Sequence, residues 1–137
     1  MACVFCNIIA KAIPAHVVLE DDLTLAFLDQ RPLFPGHVLL VPKTHFETLA
    51  DVDPVLLGPL FVNAQRLMRA LERGLDAEGT FVAMNNKISQ SVPHLHVHVV
   101  PRKKKDGLKG FFWPRHAYAS ESDMVDTARI VRDAMDA

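Results

Sequence analysis

Three of the seven histidines stand at alternate positions, in His94-Leu95-His96-Val97-His98-Val99-Val100. An imidazole can ligate a metal, move a proton near neutral pH, or attack phosphorus or carbon. A strand repeats every two residues, so an extended backbone puts the three rings on one face and Leu95, Val97 and Val99 on the other. The run is rich in Val and Leu and meets Pro101, which predicts a strand over 94–100. Packing explains three rings in register poorly, because each brings a donor and an acceptor that must be satisfied once buried. A lone histidine is an ordinary core residue; three on one face point to a site.

Other residues offer complementary chemistry. Cys3-Val4-Phe5-Cys6 holds the only two cysteines, and in a reducing compartment this spacing points to metal ligation or redox chemistry. Cys3, Cys6, His45 and one triad histidine would complete a tetrahedral Cys2His2 site, provided the fold brings distant segments together. Gln90 and Ser91 precede the triad and can donate to phosphate oxygens. His37 opens an apolar strand and could face the triad. Asp29 ends another strand, where a carboxylate either accepts from paired ribose hydroxyls or serves the following turn.

The 137-residue chain is half hydrophobic, enough for one compact domain with a sizeable core. Fifteen Lys plus Arg against sixteen Asp plus Glu leave a formal charge of −1, which gives no electrostatic reason to bind nucleic acid. No apolar run approaches the roughly 18 residues of a membrane span. The start lacks the basic n-region of a signal peptide. A cytoplasmic protein with reduced thiols is expected.

The elements that must position these residues follow from patterning. Val4 to Ala10 predicts a short helix, and His16–Glu20 and Leu23–Leu28 predict two strands around an Asp21-Asp22 turn. Gln30 to Gly36, with two prolines and a glycine, predicts a loop. His37–Val41 reads as a central strand stopped by Pro42. Leu56, Leu57, Leu60, Phe61, Ala64, Leu67, Met68 and Leu71 carry helical spacing, with Arg66, Arg69 and Arg73 opposite. Asp53-Pro54 looks like the start of that helix, but Pro59 requires either a kink or a start near Gly58. Gly74 is the expected C-cap. Thr80–Met84 predicts a strand before the histidine strand. Arg102 to Gly107 reads as a solvated basic turn or an aid to phosphate binding, and Phe111-Phe112-Trp113-Pro114 as core packing or a subunit contact. Ser122–Met135 predicts a final helix. Hairpin-joined strands with helices grouped on one face predict an α+β fold in one domain, residues 1–137, with its core over 3–102 and a tail over 103–137.

With these residues in view, the chain resembles the histidine triad (HIT) superfamily of nucleotide hydrolases and transferases. Its His-x-His-x-His-x-x motif is complete at His94–Val100. The likeness also takes in Ala26-Phe27-Leu28-Asp29, Pro35-Gly36-His37, Val41-Pro42-Lys43 and Gln90-Ser91-Val92-Pro93. It implies an antiparallel sheet of about five strands, and it implies roles. His96 would attack an α-phosphate and form a nucleotidyl-histidine intermediate, with His98 and His37 assisting at the phosphate. Asn85, Gln90 and Ser91 would stabilise phosphate or leaving-group charge. Asp29 would hold the ribose, with Phe27 against the base. Cys3, Cys6, His45 and His94 would bind a structural zinc.

The resemblance also implies a homodimer acting on a purine nucleotide. The leading expectation is hydrolysis of nucleoside 5'-phosphoramidates or related conjugates to a nucleoside monophosphate. A dinucleoside polyphosphate hydrolase and a non-catalytic nucleotide-binding protein are the alternatives. Two departures stand out: the loop 85–90 is short and carries Lys87-Ile88-Ser89 in place of glycines, and Trp113 has a different spacing from tail tryptophans of Hint-like relatives.

Overall fold

The computed structural model describes residues 3–109 and 114–135. They form two compact units, the first ending at Asp106 and the second beginning at Gly107. In the first unit, helix α1 (Val4–Ile9) precedes strands β1 (Val17–Glu20), β2 (Thr24–Leu28) and β3 (Val38–Pro42). Helix α2 (Leu57–Leu75) follows, then β4 (Gly79–Ala83) and β5 (Val97–Arg102). The sheet is antiparallel throughout in the order β1-β2-β3-β5-β4. This is the α+β architecture expected. The second unit holds helix α3 (Glu121–Met135), whose described residues are all exposed. Phe111, Phe112 and Trp113 lie outside the described residues. No described helix is long and apolar enough to cross a membrane.

Alternation in the strands separates two faces. Ala26, Val38, Leu40, Val97 and Val99 meet Leu60, Ala64, Leu67 and Leu71 of α2, with Leu95 joining them from the chain just ahead of β5. On the other face Leu25, Phe27, Leu39 and Val41 are covered by Phe5 and Ile8 of α1. The helices are therefore not grouped on one face, because α1, though only six residues long, is apolar enough to cap the β1–β3 end opposite α2. The cross-strand register Phe27–Leu39–His98 sets one row of that second face.

Several boundaries differ from expectation, each for a local reason. Asp53 does cap a helical turn, accepting from the Val55 amide at 3.1 Å, but that turn is 3-10 (Pro54–Leu56). The α-helix begins at Leu57, so Pro59 sits in its first turn, where an amide has no intrahelical acceptor anyway. Gly74 is not the C-cap; Asp76 takes the left-handed conformation, at φ 57°. Phe61 stays 37 % exposed, while the polar Asn63 is buried at 3 %. Asn63 is satisfied there, donating to Asp21 Oδ2 at 2.7 Å and Thr24 Oγ1 at 2.8 Å.

The histidine strand is the main correction. Its ladder starts at Val97 and continues through Pro101 to Arg102. His94 and Leu95 cannot join it, since their amides donate elsewhere, to Val92 O at 2.8 Å and Phe46 O at 2.7 Å. Pro101 is tolerated because β3 pairs β5 only from Val97 to Val99, so the missing donor faces a side without a neighbour. The basic segment after it is a turn closed by an Arg102–Asp106 ion pair at 2.7 Å.

Candidate functional site

Although only His98 lies within the ladder, the alternating direction persists upstream. His94 and His96 are buried at 0 % and 4 % exposure on the face opposite Leu95. The backbone fixes each ring differently, and the hydrogen bonds assign the tautomers.

His96 Nδ1–H donates to the His94 carbonyl at 2.8 Å. That proton leaves Nε2 with a free lone pair, the requirement for a neutral imidazole nucleophile. The ring is held edge-on between Phe5 and His98, with both centroids 5.0 Å away.

His37, at the start of β3, is set by the loop before it. The Leu33 amide donates to His37 Nδ1 at 3.0 Å, so the proton is on Nε2. His37 Nε2–H donates to His98 Nδ1 at 2.9 Å, which in turn puts the His98 proton on Nε2. Burial pushes the His98 pKa down to about 4, helped by His96 and His37 and opposed by Asp29. Burial also lowers His37, against the attraction of Asp29. Both rings are neutral near pH 7, so the 3.8 Å approach of Asp29 Oδ2 to His37 Nε2 is a dipolar contact and not an ion pair.

His96 and His98 border a cleft of about 560 Å³, also lined by Phe5, Phe27, Asp29, Arg31 and Ser91. One side is aromatic and aliphatic, suited to a flat base; the histidines and Ser91 offer polar groups. Asp29 Oδ1 already accepts from the Arg31 amide at 2.9 Å. Sequence reasoning missed the contribution of Phe5 and Ile8, whose place beside the cysteines in α1 was the available signal.

Three expected residues do not line this cleft: His37, which stands behind His98, and Gln90 and Asn85. Gln90 Nε2 donates to Glu47 O at 2.6 Å, and its Oε1 accepts from the Lys87 amide at 2.8 Å. Asn85 Nδ2 donates to Ser89 O at 3.2 Å. Both amides shape the loop 85–90, where Lys87 and Ser89 adopt left-handed φ of 72° and 61° without the help of glycine.

Beside the triad, Cys3, Cys6, His45 and His94 bring their ligand atoms within 4.8 Å of one another. His94 Nε2–H donates to Pro42 O at 2.8 Å, which turns its Nδ1 lone pair inward. That nitrogen lies 3.5 Å from each sulfur and 3.1 Å from His45 Nδ1, and Cys6 Sγ lies 3.3 Å from His45 Nδ1. Ligands around a tetrahedral Cys2His2 ion stand about 3.3–3.8 Å apart. The donor set and spacing therefore fit a metal ion. Asp29, His37 and His98 also cluster, but the protonated His37 Nε2 is already a donor to His98, so that group reads as a hydrogen-bonded relay.

With this geometry in hand, comparison places the chain among known proteins. Residues 10–105 match the HIT domain family model. An uncharacterized HIT-like protein of Mycobacterium tuberculosis is 39 % identical over 98 % of this chain and 94 % of its own. The adenylylsulfatase of Arabidopsis thaliana is 33 % identical over 77 % of this chain and 55 % of its own. An asymmetrical bis(5'-nucleosyl)-tetraphosphatase of Schizosaccharomyces pombe is 33 % identical over 67 % and 52 %. Among solved structures, a HIT family member from Bacillus subtilis superposes with a TM-score of 0.87 at 36 % identity, covering 97 % of this chain and 96 % of that one. A zinc-bound histidine triad family protein from Mycobacterium smegmatis gives 0.75 at 36 % identity, covering 100 % and 99 %.

Proposed function

The chain belongs to the HIT family, and from that premise we propose that it hydrolyses nucleoside 5'-phosphoramidates, or related purine nucleotide conjugates, through His96. The supporting observation is the His96 Nδ1–H bond to the His94 carbonyl, which leaves Nε2 as a neutral nucleophile beside an aromatic cleft. In this reading Phe27 packs against the base and Asp29 Oδ2 accepts from the ribose hydroxyls. His96 Nε2 attacks the α-phosphorus, the bond to the leaving amine breaks, and the amine departs after gaining a proton. His98 Nε2–H, held in that tautomer by His37, donates to the phosphate oxygens, as does Ser91. Water then cleaves the phosphorus–nitrogen bond to His96 and releases the nucleoside monophosphate. Asn85 and Gln90 act by shaping the loop that carries Ser91.

The second reading, a dinucleoside polyphosphate hydrolase, is favoured by the tetraphosphatase relative and differs only in the leaving group. We assign zinc to the Cys3–Cys6–His45–His94 cluster, supported by its tetrahedral spacing and the zinc-bound relative, as a structural ion away from the reacting phosphate. Reduced Cys3 and Cys6 suit a cytoplasmic protein, and the edge strand β4, paired only with β5 among the described residues, offers a surface for a homodimer.

The deciding experiment compares kcat/KM for an adenosine phosphoramidate, adenosine phosphosulfate and diadenosine tetraphosphate, with His96→Ala alongside. The phosphoramidate is expected to lead, and the variant to bind nucleotide without turnover. Unchanged turnover in His96→Ala removes the mechanism.

A further inference from the structure

We propose that the Cys3–Cys6–His45–His94 cluster is a positioning device for His96, because the ion it holds fixes the residue that sets the nucleophile's tautomer. This rests on the reading of His96 above.

His94 belongs to both sites at once. Its ring joins the cluster through Nδ1 and grips Pro42 O through Nε2, while its carbonyl oxygen accepts from His96 Nδ1. No strand ladder holds that carbonyl, since β5 pairing begins only at Val97. Its position depends on the neighbouring amides and on the anchored ring.

A second route runs through α1. Cys3 caps this six-residue helix and Cys6 lies within it, one on each side of Phe5 in sequence. The Phe5 ring stands edge-on to His96 at 5.0 Å and to His94 at 6.0 Å. So short a helix has little stability of its own. An ion held by both sulfurs pins α1, and with it the aromatic wall against the nucleophile.

Removing the ion leaves the His94 ring with Pro42 O as its single anchor and α1 with only the packing of Phe5 and Ile8, so both loosen together. His96 then loses its fixed acceptor and samples the tautomer with the proton on Nε2, which has no lone pair for attack. Asp29 and Ser91 lie on other segments, whereas Phe5 and Ile8 of α1 line the same cleft and Phe5 meets Phe27 at 5.5 Å. The two effects therefore differ in size: nucleotidylation loses both the tautomer and the wall, while nucleotide affinity loses only part of the wall. His94 is a positioning residue here, acting on phosphate only through His96.

The test uses the full chain loaded with zinc, the same protein after chelation and dialysis, and Cys6→Ser, all well below their melting temperatures. Long-range nitrogen–proton NMR reports the His96 tautomer, equilibrium binding gives the Kd for adenosine monophosphate, and rapid quench gives the rate of nucleotidyl-enzyme formation. Zinc removal is expected to replace a single Nδ1–H form of His96 by a tautomer mixture. It should slow nucleotidylation roughly ten- to a hundredfold, the usual cost of losing an outer partner of a ligand. The Kd for adenosine monophosphate should weaken by less than the rate slows, and zinc added back should restore both. Cys6→Ser should match the chelated protein. A zinc-free protein with one His96 tautomer and an undiminished rate overturns the proposal. So does a Kd that weakens in step with the rate as the amide spectrum collapses, which marks plain unfolding. If the loaded wild type turns over no nucleotide, the functional reading falls, while the tautomer comparison still decides the coupling.

Discussion

His37 Nε2–H donates to His98 Nδ1 across 2.9 Å, and the Leu33 amide, donating to His37 Nδ1, fixes the direction of that bond. A single loop amide thus determines which nitrogen of a ring on another strand carries its proton. Protonating His98 places a hydrogen on Nδ1, where it opposes the His37 donor. The bond survives only while His98 is neutral.

A pH dependence follows from the depressed His98 pKa. The unfolded imidazole titrates near 6.5 and the folded one near 4. Between those values the unfolded chain binds more protons, so the His98 contribution is intact above about pH 6.5 and is lost as pH falls toward 4. Denaturant midpoints across that range should fall more steeply for wild type than for His98→Gln, whose side chain does not titrate. Parallel slopes would contradict the assignment. Comparing the two proteins cancels acid effects on the metal cluster, which both retain.

The metal cluster makes a separate claim. Protein purified without chelator should carry about one zinc per chain, given four converging ligands of the right type. Cys3→Ser/Cys6→Ser should lose it, and with it the hold on α1. Metal analysis checks both statements, and a wild-type chain without zinc refutes the first.

Much of this was legible in the sequence because it follows from residue type and period. Alternation of Leu95, Val97 and Val99 put the histidines on the opposite face even though the ladder was misplaced. A ladder depends on where the partner strand runs, and the Leu95 amide found Phe46 instead. The ligand cluster could be posed as a possibility from Cys3, Cys6 and His45, but its closure depends on long-range folding. Gln90 illustrates the limit from the other direction. Its amide suits phosphate equally well, and only the position of the Glu47 carbonyl shows where it is spent. Burial of Asn63 was invisible for a similar reason, since its partners are about forty residues away.

Asn63 is expected to matter for that reason. It is buried, bridges Asp21 and Thr24, and accepts from Arg66 Nη1 at 3.0 Å. Asn63→Leu removes these bonds and should cost about 1–3 kcal/mol at neutral pH. The Asn63 bond is also the largest cause holding the Asp21 carboxyl at about 2, below the ordinary 3.8. That contribution is complete above the ordinary value and disappears as pH falls through about 2. The gap between Asn63→Leu and wild type in urea unfolding should therefore narrow in strong acid. A gap that is constant with pH would separate the cost from the carboxylate.

Gly36 tests the frame behind His37. It sits at φ +100°, a conformation that side chains rarely adopt. A Cβ there would collide with Leu75 Cδ1 and crowd Pro101 Cγ at 3.3 Å. Leu75 is half exposed and can swing aside, so the backbone strain dominates, at about 1–3 kcal/mol. Relief of that strain moves the next residue, His37, whose amide donates to Phe34 O at 3.0 Å. Gly36→Ala should thus lower the melting temperature and also shift the imidazole resonances of His37 and His98. A stability loss with unchanged histidine resonances would mean that Leu75 and Pro101 absorb the change, leaving the relay in place.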